Sequence, residues 1–153
     1  MSEVLNFFNE KKKSMSKFSK EALKLLLKYG IGCVPEERRE EVEHAIKTSN
    51  FAEDSVKGLL PTAYLALSNR KTEEKDVRRY FFQTHNILAE KMNKKECCVF
   101  VAKVLKSYGS ECEVVYEGKV ERVKCLDRFK DGDFIVVHAG YAVEKYDKNL
   151  HTW

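Results

Sequence analysis

The sequence predicts an α+β chain, with an N-terminal α-helical domain followed by a small C-terminal OB-like β-barrel. Up to Lys94 the apolar residues recur at intervals of three and four, which is typical of amphipathic helices. After Lys95 they alternate with polar residues or cluster with valine, which favours strands. We therefore expect a helical domain of unknown function over residues 1–95 and a barrel domain over residues 96–153.

Capping signals predict the first two helices. The segment "SKEALKLLLKYG" offers Ser19 as an N-cap, leucines on one face and Gly30 as a C-terminal stop. The next helix should begin near Pro35, where the missing N–H is harmless and the acidic residues that follow suit the helix dipole. We expect it to run to about Lys47.

Two short helices and then the longest helix of the chain are predicted next. Gly58 and Pro61 interrupt the apolar segment between Phe51 and Asn69, and we expect the second of its two helices to be the buried one. The longest helix should follow an N-cap at Thr72. Its apolar stripe is formed by Val77, Phe81, Leu88 and Met92.

The second part of the chain holds short β-rich runs separated by tight turns. Glu117-Gly118 is a two-residue hairpin signal, and Gly132 can adopt the positive φ of a turn. The small pair Ala139-Gly140 interrupts the last apolar run. Many short strands in so few residues favour a small closed barrel, because closure removes exposed strand edges.

Charge and composition exclude several classes of protein. The 153 residues carry 28 Lys and Arg against 24 Asp and Glu, and acidic residues lie between most of the basic ones, so the net charge of +4 argues against a dedicated nucleic-acid binder. We expect no membrane association, because no apolar run approaches the ~20 residues of a membrane span and no secretory signal opens the chain. Five cysteines without framework spacing favour the reducing cytoplasm, and the run Lys11–Lys13 is predicted to be a solvated terminus.

The cysteines form no recognisable metal motif on their own. None is spaced as C-x-x-C, so a zinc ribbon is not supported. Cys97 and Cys98 are adjacent, and in a strand they would point to opposite faces; both are readily explained as ordinary strand residues. No catalytic triad, phosphate-binding loop or carboxylate pair emerges either, so we expect no enzymatic activity.

The histidines differ in their surroundings. His138 lies in the apolar run "FIVVHAG" and is either a core histidine or a residue that the Ala-Gly kink exposes at the barrel rim, where it could reach a ligand. His85 lies on or beside the apolar stripe of its helix and is interpreted as a packed or capping residue. His44 and His151 are expected to be exposed.

The stretch "GDFIVVHAGYAVEKYD", residues 132–147, resembles the signature near the end of the HypC/HupF family of hydrogenase assembly chaperones, which are small OB-like proteins. In that family a G-D-hydrophobic run leads into V-H-A-G-aromatic-A. "CCVFVAKVLK" is similar to the start of the family, and an ungapped match on Ala102-Lys103-Val104 puts Cys97 at its functional cysteine. The resemblance covers residues 97–147, and the helical part is not recognised.

The resemblance implies a hydrogenase maturation factor that is not an enzyme. In the family, the cysteine and the histidine help carry an iron centre with cyanide and carbon monoxide ligands, so Cys97 or Cys98 and His138 would bind iron here. Cys97 and His138, with Gly140 and Tyr141, would contact the implied partners. These are a HypD-like scaffold protein and the precursor of the [NiFe] hydrogenase large subunit.

Two other interpretations stay open from the residues themselves. The barrel could be a protein-interaction module without a metal, in which the cysteines are structural. It could also be an OB-type nucleic-acid-binding domain that uses Tyr108, Tyr116 and Phe129 as stacking platforms.

Overall fold

The structure is a computed structural model that describes residues 17–153, so the predicted solvated terminus at Lys11–Lys13 lies outside the described residues. The helices are α1 (Lys20–Gly30), α2 (Arg39–Thr48), α3 (Glu53–Leu59), α4 (Pro61–Leu67), α5 (Glu74–Tyr80) and α6 (Asn86–Lys91). A π-helical segment, Phe81–His85, joins α5 to α6, and 3-10 turns lie at Ile31–Cys33, Glu36–Arg38 and Lys95–Cys97. The strands are β1 (Phe100–Ser107), β2 (Glu111–Tyr116), β3 (Lys119–Cys125), β4 (Phe134–His138) and β5 (Tyr141–Lys145). The predicted α+β class is therefore confirmed.

Helix α1 begins and ends where the sequence predicts. The Ser19 hydroxyl accepts a hydrogen bond from the Ala22 N–H at 3.1 Å, and the helix ends at Gly30. A Cβ at Gly30 would lie 2.4 Å from a methyl group of Leu60, so the glycine also lets the corner between α3 and α4 pack closely. The leucine face of α1 lies in the largest hydrophobic core.

The α3–α4 corner differs in detail from the prediction. Pro61 begins α4 as expected, but Gly58 lies inside α3 and does not separate the two helices. The expectation that α4 is buried holds for one face only, because Ala63 and Leu67 are buried while Leu65 is 63% exposed.

The predicted longest helix is the continuous stretch from α5 through the π segment to α6. Its N-cap is Glu73 and not Thr72, because the Thr72 hydroxyl is buried and donates to backbone carbonyls of the preceding residues. A π turn holds more residues than an α turn, so the residues after it are rotated around the helix axis. As a result Ala89 is buried, whereas Leu88 and Met92 of the predicted stripe are exposed.

The strands form a closed barrel in the order β1-β2-β3-β5-β4, with β1 also paired to β4. All pairs are antiparallel except β3 with β5, which are parallel. Glu117 and Gly118 have φ values of 49° and 76°, and Gly132 has 89°, so these turn predictions are confirmed. The barrel interior is filled by Ala102, Val104, Cys112, Val114, Val123, Phe129, Ile135, Val137 and Ala142.

The helical part covers one outer face of the barrel. Strand alternation directs Ile135 and Val137 into the barrel interior, and therefore directs Val136 and His138 towards the helices. Val136 belongs to the same buried cluster as the leucines of α1, so the two parts share a core. Helix gives way to strand between Lys95 and β1, and the division into two domains stays a prediction. Within residues 17–153, no helix has the length and apolar character needed to cross a membrane.

Candidate metal centre

Three potential metal ligands from distant parts of the chain meet where the helical part contacts the barrel. They are Cys33 in the 3-10 turn after α1, His85 at the end of the π segment and His138 at the end of β4. One ligand atom from each lies within 4.8 Å of the others. No other set of three such side chains comes this close in the described part of the chain. We call these residues the Cys-His-His group.

His138 is held in one orientation and one tautomer. Its side chain is fully buried, and Nδ1–H donates a hydrogen bond to the backbone carbonyl of Tyr29. The lone pair is therefore on Nε2, which lies 3.6 Å from the Cys33 Sγ. Burial lowers the pKa of His138 to about 4, although the bond to Tyr29 opposes this, so the imidazole is neutral at pH 7. Metal-ligating histidines commonly have this arrangement, in which one ring nitrogen donates to a carbonyl and the other binds the metal.

Close packing of two turns brings Cys33 next to His138. Ala139 and Gly140 form the turn between β4 and β5 with φ values of 47° and 85°. Gly32 lies directly against this turn, because a Cβ at Gly32 would be 2.4 Å from the Ala139 Cβ and 3.0 Å from the Ala139 carbonyl oxygen. A larger residue at this position would push the two turns apart.

Arg39 of α2 fixes the turn that carries Cys33. Its guanidinium donates to the backbone carbonyls of Gly32 at 3.0 Å and Val34 at 3.1 Å. Cys33 is exposed as a whole residue, but its Sγ contacts the ring of the buried His138. Burial raises the pKa of this thiol to about 11, with a further rise from Cys97 that the charge of Arg39 opposes. The thiol therefore stays protonated at neutral pH until a cation replaces the proton.

The π segment directs His85 towards His138. The two imidazoles meet edge to face, with ring centroids 4.7 Å apart, and the Phe81 ring packs near both. Burial lowers the pKa of His85, and the interaction with the Asn86 side chain opposes this effect. π turns inside helices are frequent at functional sites, and this one carries one of the three potential ligands.

Asn86 holds the segment that carries the two adjacent cysteines. Its side-chain amide donates to the Val99 carbonyl at 2.9 Å, and its Oδ1 accepts from the Val99 N–H at 2.7 Å. The Cys98 Sγ lies 4.0 Å from the Asn86 carbonyl oxygen and does not belong to the Cys-His-His group.

A cavity of about 300 Å³ lies beside the group. Cys33, His85 and Cys97 line it, together with apolar side chains of which Leu88 and Met92 are exposed. Cys33 and His85 are therefore accessible through an apolar pocket with a second thiol in its wall, whereas His138 lies buried behind them.

The structure assembles the site differently from the sequence prediction. Of Cys97, Cys98 and His138, only His138 belongs to the group, and Cys97 lies in the adjoining cavity wall. Of the two positions that the sequence allows for His138, the core position is confirmed and the exposed rim position is wrong, because the side chain is fully buried and bonded to the Tyr29 carbonyl. His85 packs against aromatic rings as predicted, but it also joins the group. The sequence prediction did not include Cys33 among the metal ligands. The one local signal for it was Gly32, the residue before it, which allows this turn to pack closely against the β4–β5 turn.

The remaining predicted residues lie beside the group. Gly140 is exposed in its turn, whereas Tyr141 is 3% exposed. Burial, followed by the charge of Glu43, raises the pKa of Tyr141. The prediction that His151 is exposed is wrong: it is 5% exposed, and its Nε2 lies 3.0 Å from a carboxylate oxygen of Glu144.

A buried ion pair lies behind the site. Arg78 of α5 donates to both carboxylate oxygens of Glu144 of β5 at 3.0 Å, and the Tyr29 hydroxyl donates to the same carboxylate at 2.6 Å. Burial alone would raise the pKa of Glu144, but hydrogen bonds from His151, Arg78 and Tyr29 outweigh it and hold the pKa at about 2. Because the Tyr29 carbonyl orients His138, this network supports the residue that positions one of the three potential ligands.

Fold and site together define the class: a helical unit packed on a closed five-stranded barrel, with a Cys-His-His group in the contact between them. No protein-family model and no curated protein matches the chain. The functional argument therefore rests on the chemistry of the group.

Proposed function

We propose that this protein is a hydrogenase maturation factor that binds an iron centre, with cyanide and carbon monoxide ligands, as its cargo. The main support is the Cys-His-His group, because its barrel member is the histidine of the V-H-A-G stretch. One thiolate and two neutral imidazoles are suitable ligands for iron and similar transition metals.

In this proposal the helical part supplies the thiol that the HypC/HupF family supplies from its N-terminus. Cys33 follows α1, and its Sγ lies 3.6 Å from the His138 Nε2. Cys97, which matches the family's functional cysteine, lines the cavity beside the group. We assign Cys97 the role of an exchangeable thiol that passes the cargo to a partner through this cavity.

The barrel topology supports an OB-like identity, because the order β1-β2-β3-β5-β4 with a parallel β3–β5 pair is that of a closed five-stranded Greek-key barrel. The proposed partners are a HypD-like scaffold protein and the [NiFe] hydrogenase large-subunit precursor, in the cytoplasm. They would approach on the side of the exposed Leu88 and Met92, which line the cavity.

The nucleic-acid-binding alternative has less support from the aromatic residues. Phe129 is 6% exposed inside the barrel and offers no stacking face. The Tyr116 ring already stacks on Phe100 at 4.3 Å, and the Arg122 guanidinium lies 4.7 Å from the Tyr108 ring centre.

Anaerobic titration of the purified protein with Co²⁺ tests the metal site, because a thiolate ligand gives cobalt a charge-transfer absorption band. Cys33→Ala should abolish this band and weaken binding by at least about tenfold, since even residues that only orient a ligand contribute about 10–100-fold. Cys98→Ala is the matched control and should bind like the unmodified protein. His85→Ala should weaken binding, whereas His44→Ala, on the exposed face of α2, should not.

Equal cobalt binding by the Cys33→Ala and Cys98→Ala proteins would refute the assigned ligands. Absence of binding to the unmodified protein would favour the interaction module without a metal. The cargo is tested by purification from a host with hydrogenase maturation machinery, followed by infrared spectroscopy. Cyanide and carbonyl stretching bands should be present in the unmodified and Cys98→Ala proteins and absent from Cys33→Ala. If the protein binds cobalt but shows no such bands, the metal site stands and the proposed iron cargo is refuted.

A further inference from the structure

A second, larger groove follows the seam between the helical part and the barrel. Its volume is about 1040 Å³, at the upper end of the roughly 300–1,000 Å³ of small-molecule pockets. Residues of α1 and α2 line one wall, and the β1–β2 turn, the end of β3 and the loop after it line the other. Cys33, His85 and His138 are absent from its lining, so the groove is distinct from the candidate metal centre.

Basic side chains in this groove lack partners within the protein. Lys28, Lys47, Lys124 and Arg128 line it, and none of their side chains forms a hydrogen bond or ion pair with any residue in the range 17–153. Burial lowers the pKa of Lys28, and the more distant charges of Glu144 and Asp127 oppose this lowering. An ammonium group that is half-buried and unpaired is costly, and a bound anion would offset that cost.

The acidic residues of the groove are, by contrast, mostly engaged elsewhere. Glu111 pairs with Arg122 at 3.6 Å, and Glu43 interacts with Tyr141. Asp127 accepts a hydrogen bond from the backbone N–H of the next residue. The lining holds five basic side chains and three acidic ones, so the groove carries a net positive charge.

We infer that this groove binds an acidic segment of a partner protein, with carboxylates against the basic walls and an apolar side chain against the half-buried Leu126. The chemistry favours a peptide over a phosphate-bearing ligand. A helix N-terminus is a ready-made phosphate site, whereas the groove is lined by the middle and end of α1 and α2. The ammonium groups attract carboxylates, and Leu126 in the same lining offers a contact for an apolar side chain of a peptide.

Fluorescence anisotropy with a labelled peptide of alternating glutamate and leucine tests the inference on the full chain. The matched probes are the same peptide with glutamine for glutamate and a single-stranded thymidine oligonucleotide. The Lys47→Glu/Lys124→Glu protein changes two exposed groove lysines. The Lys75→Glu/Lys119→Glu protein is its control, because it changes net charge equally at exposed lysines outside the groove. Thermal unfolding of each variant checks that the fold is retained.

The glutamate peptide should bind the unmodified protein more tightly than either other probe, and its affinity should fall as salt rises. The groove variant should lose at least about tenfold in affinity, and the control variant less than about twofold. Equal losses in the two variants would indicate a general charge effect and overturn the inference, as would tighter binding of the oligonucleotide. Because the groove is separate from the metal centre, failure here leaves the cobalt experiment unaffected.

Discussion

Glu144→Gln removes the carboxylate from the buried network with Arg78, Tyr29 and His151 while keeping the side-chain shape. The pKa of Glu144 is about 2 in the folded protein, against 4.5 for an unperturbed glutamate, and this difference corresponds to about 3 kcal/mol at about 1.4 kcal/mol per pH unit. Removing one partner of a buried ion pair typically costs about 3–5 kcal/mol, which agrees. We therefore expect the free energy of unfolding to fall by about 3 kcal/mol at pH 7.

The same variant should change the response to acid. The pKa of Glu144 is lower in the folded than in the unfolded chain, so its contribution is complete above about pH 4.5 and is lost as the pH falls to 2. The unmodified protein should lose this stability across that range. Glu144→Gln should lack this part of the pH dependence.

Urea unfolding followed by far-ultraviolet circular dichroism, at pH 7 and at steps below pH 5, measures both effects. At about 2–4 °C per kcal/mol, the melting temperature of the variant should also fall by about 6–12 °C. Glu41→Gln is the control, because Glu41 pairs with Arg38 on the surface and should contribute little. A loss below about 1 kcal/mol for Glu144→Gln, or an unchanged acid response, would refute the reasoning.

Two further substitutions test the packing that positions the group. Gly32→Ala places a Cβ 2.4 Å from the Ala139 Cβ and should destabilise the fold by about 1–3 kcal/mol. Its control is Gly58→Ala, which adds a Cβ inside a helix with nothing within 4 Å and should stabilise the fold by about 0.5–1 kcal/mol. Similar melting temperatures for the two variants would contradict this prediction. Asn86→Ala leaves the Val99 N–H and carbonyl unpaired, so it should lower the free energy of unfolding by about 1–3 kcal/mol and speed hydrogen exchange at Val99. Its control is Gln83→Ala, which removes only an exposed hydrogen bond with Arg79 and should change neither measurement.

Much of the fold could be predicted from local signals. Ser19 and Gly30 bound α1 because capping acts over one turn of helix, and Gly118 and Gly132 mark turns because they supply positive φ. The π segment could not be predicted this way. An apolar stripe read at 3.6 residues per turn assumes a regular helix, so it placed Leu88 and Met92 in the core, where the structure has Ala89.

The candidate site was predictable only at His138, which lies in a recognisable stretch of sequence. Cys33 is 105 residues away from it, and the two meet because the turn after α1 packs against the β4–β5 turn. No periodicity or spacing carries that information, since it depends on how the helical part docks on the barrel. The place of His85 in the group could not be predicted either, because the direction of its side chain depends on the π turn.

The candidate ligands come from two parts of the chain, so metal binding should affect how stably those parts are held together. Cys33 and His85 belong to the helical part and His138 to the barrel, so a bound metal bridges the two. A ligand that binds only the folded arrangement stabilises it by about 2.7 kcal/mol at a free concentration 100 times its Kd. This is close to the contribution expected of the Glu144 network, which joins the same two parts. Metal loading should therefore restore stability to Glu144→Gln, and transfer of the metal to a partner should loosen the contact that held it.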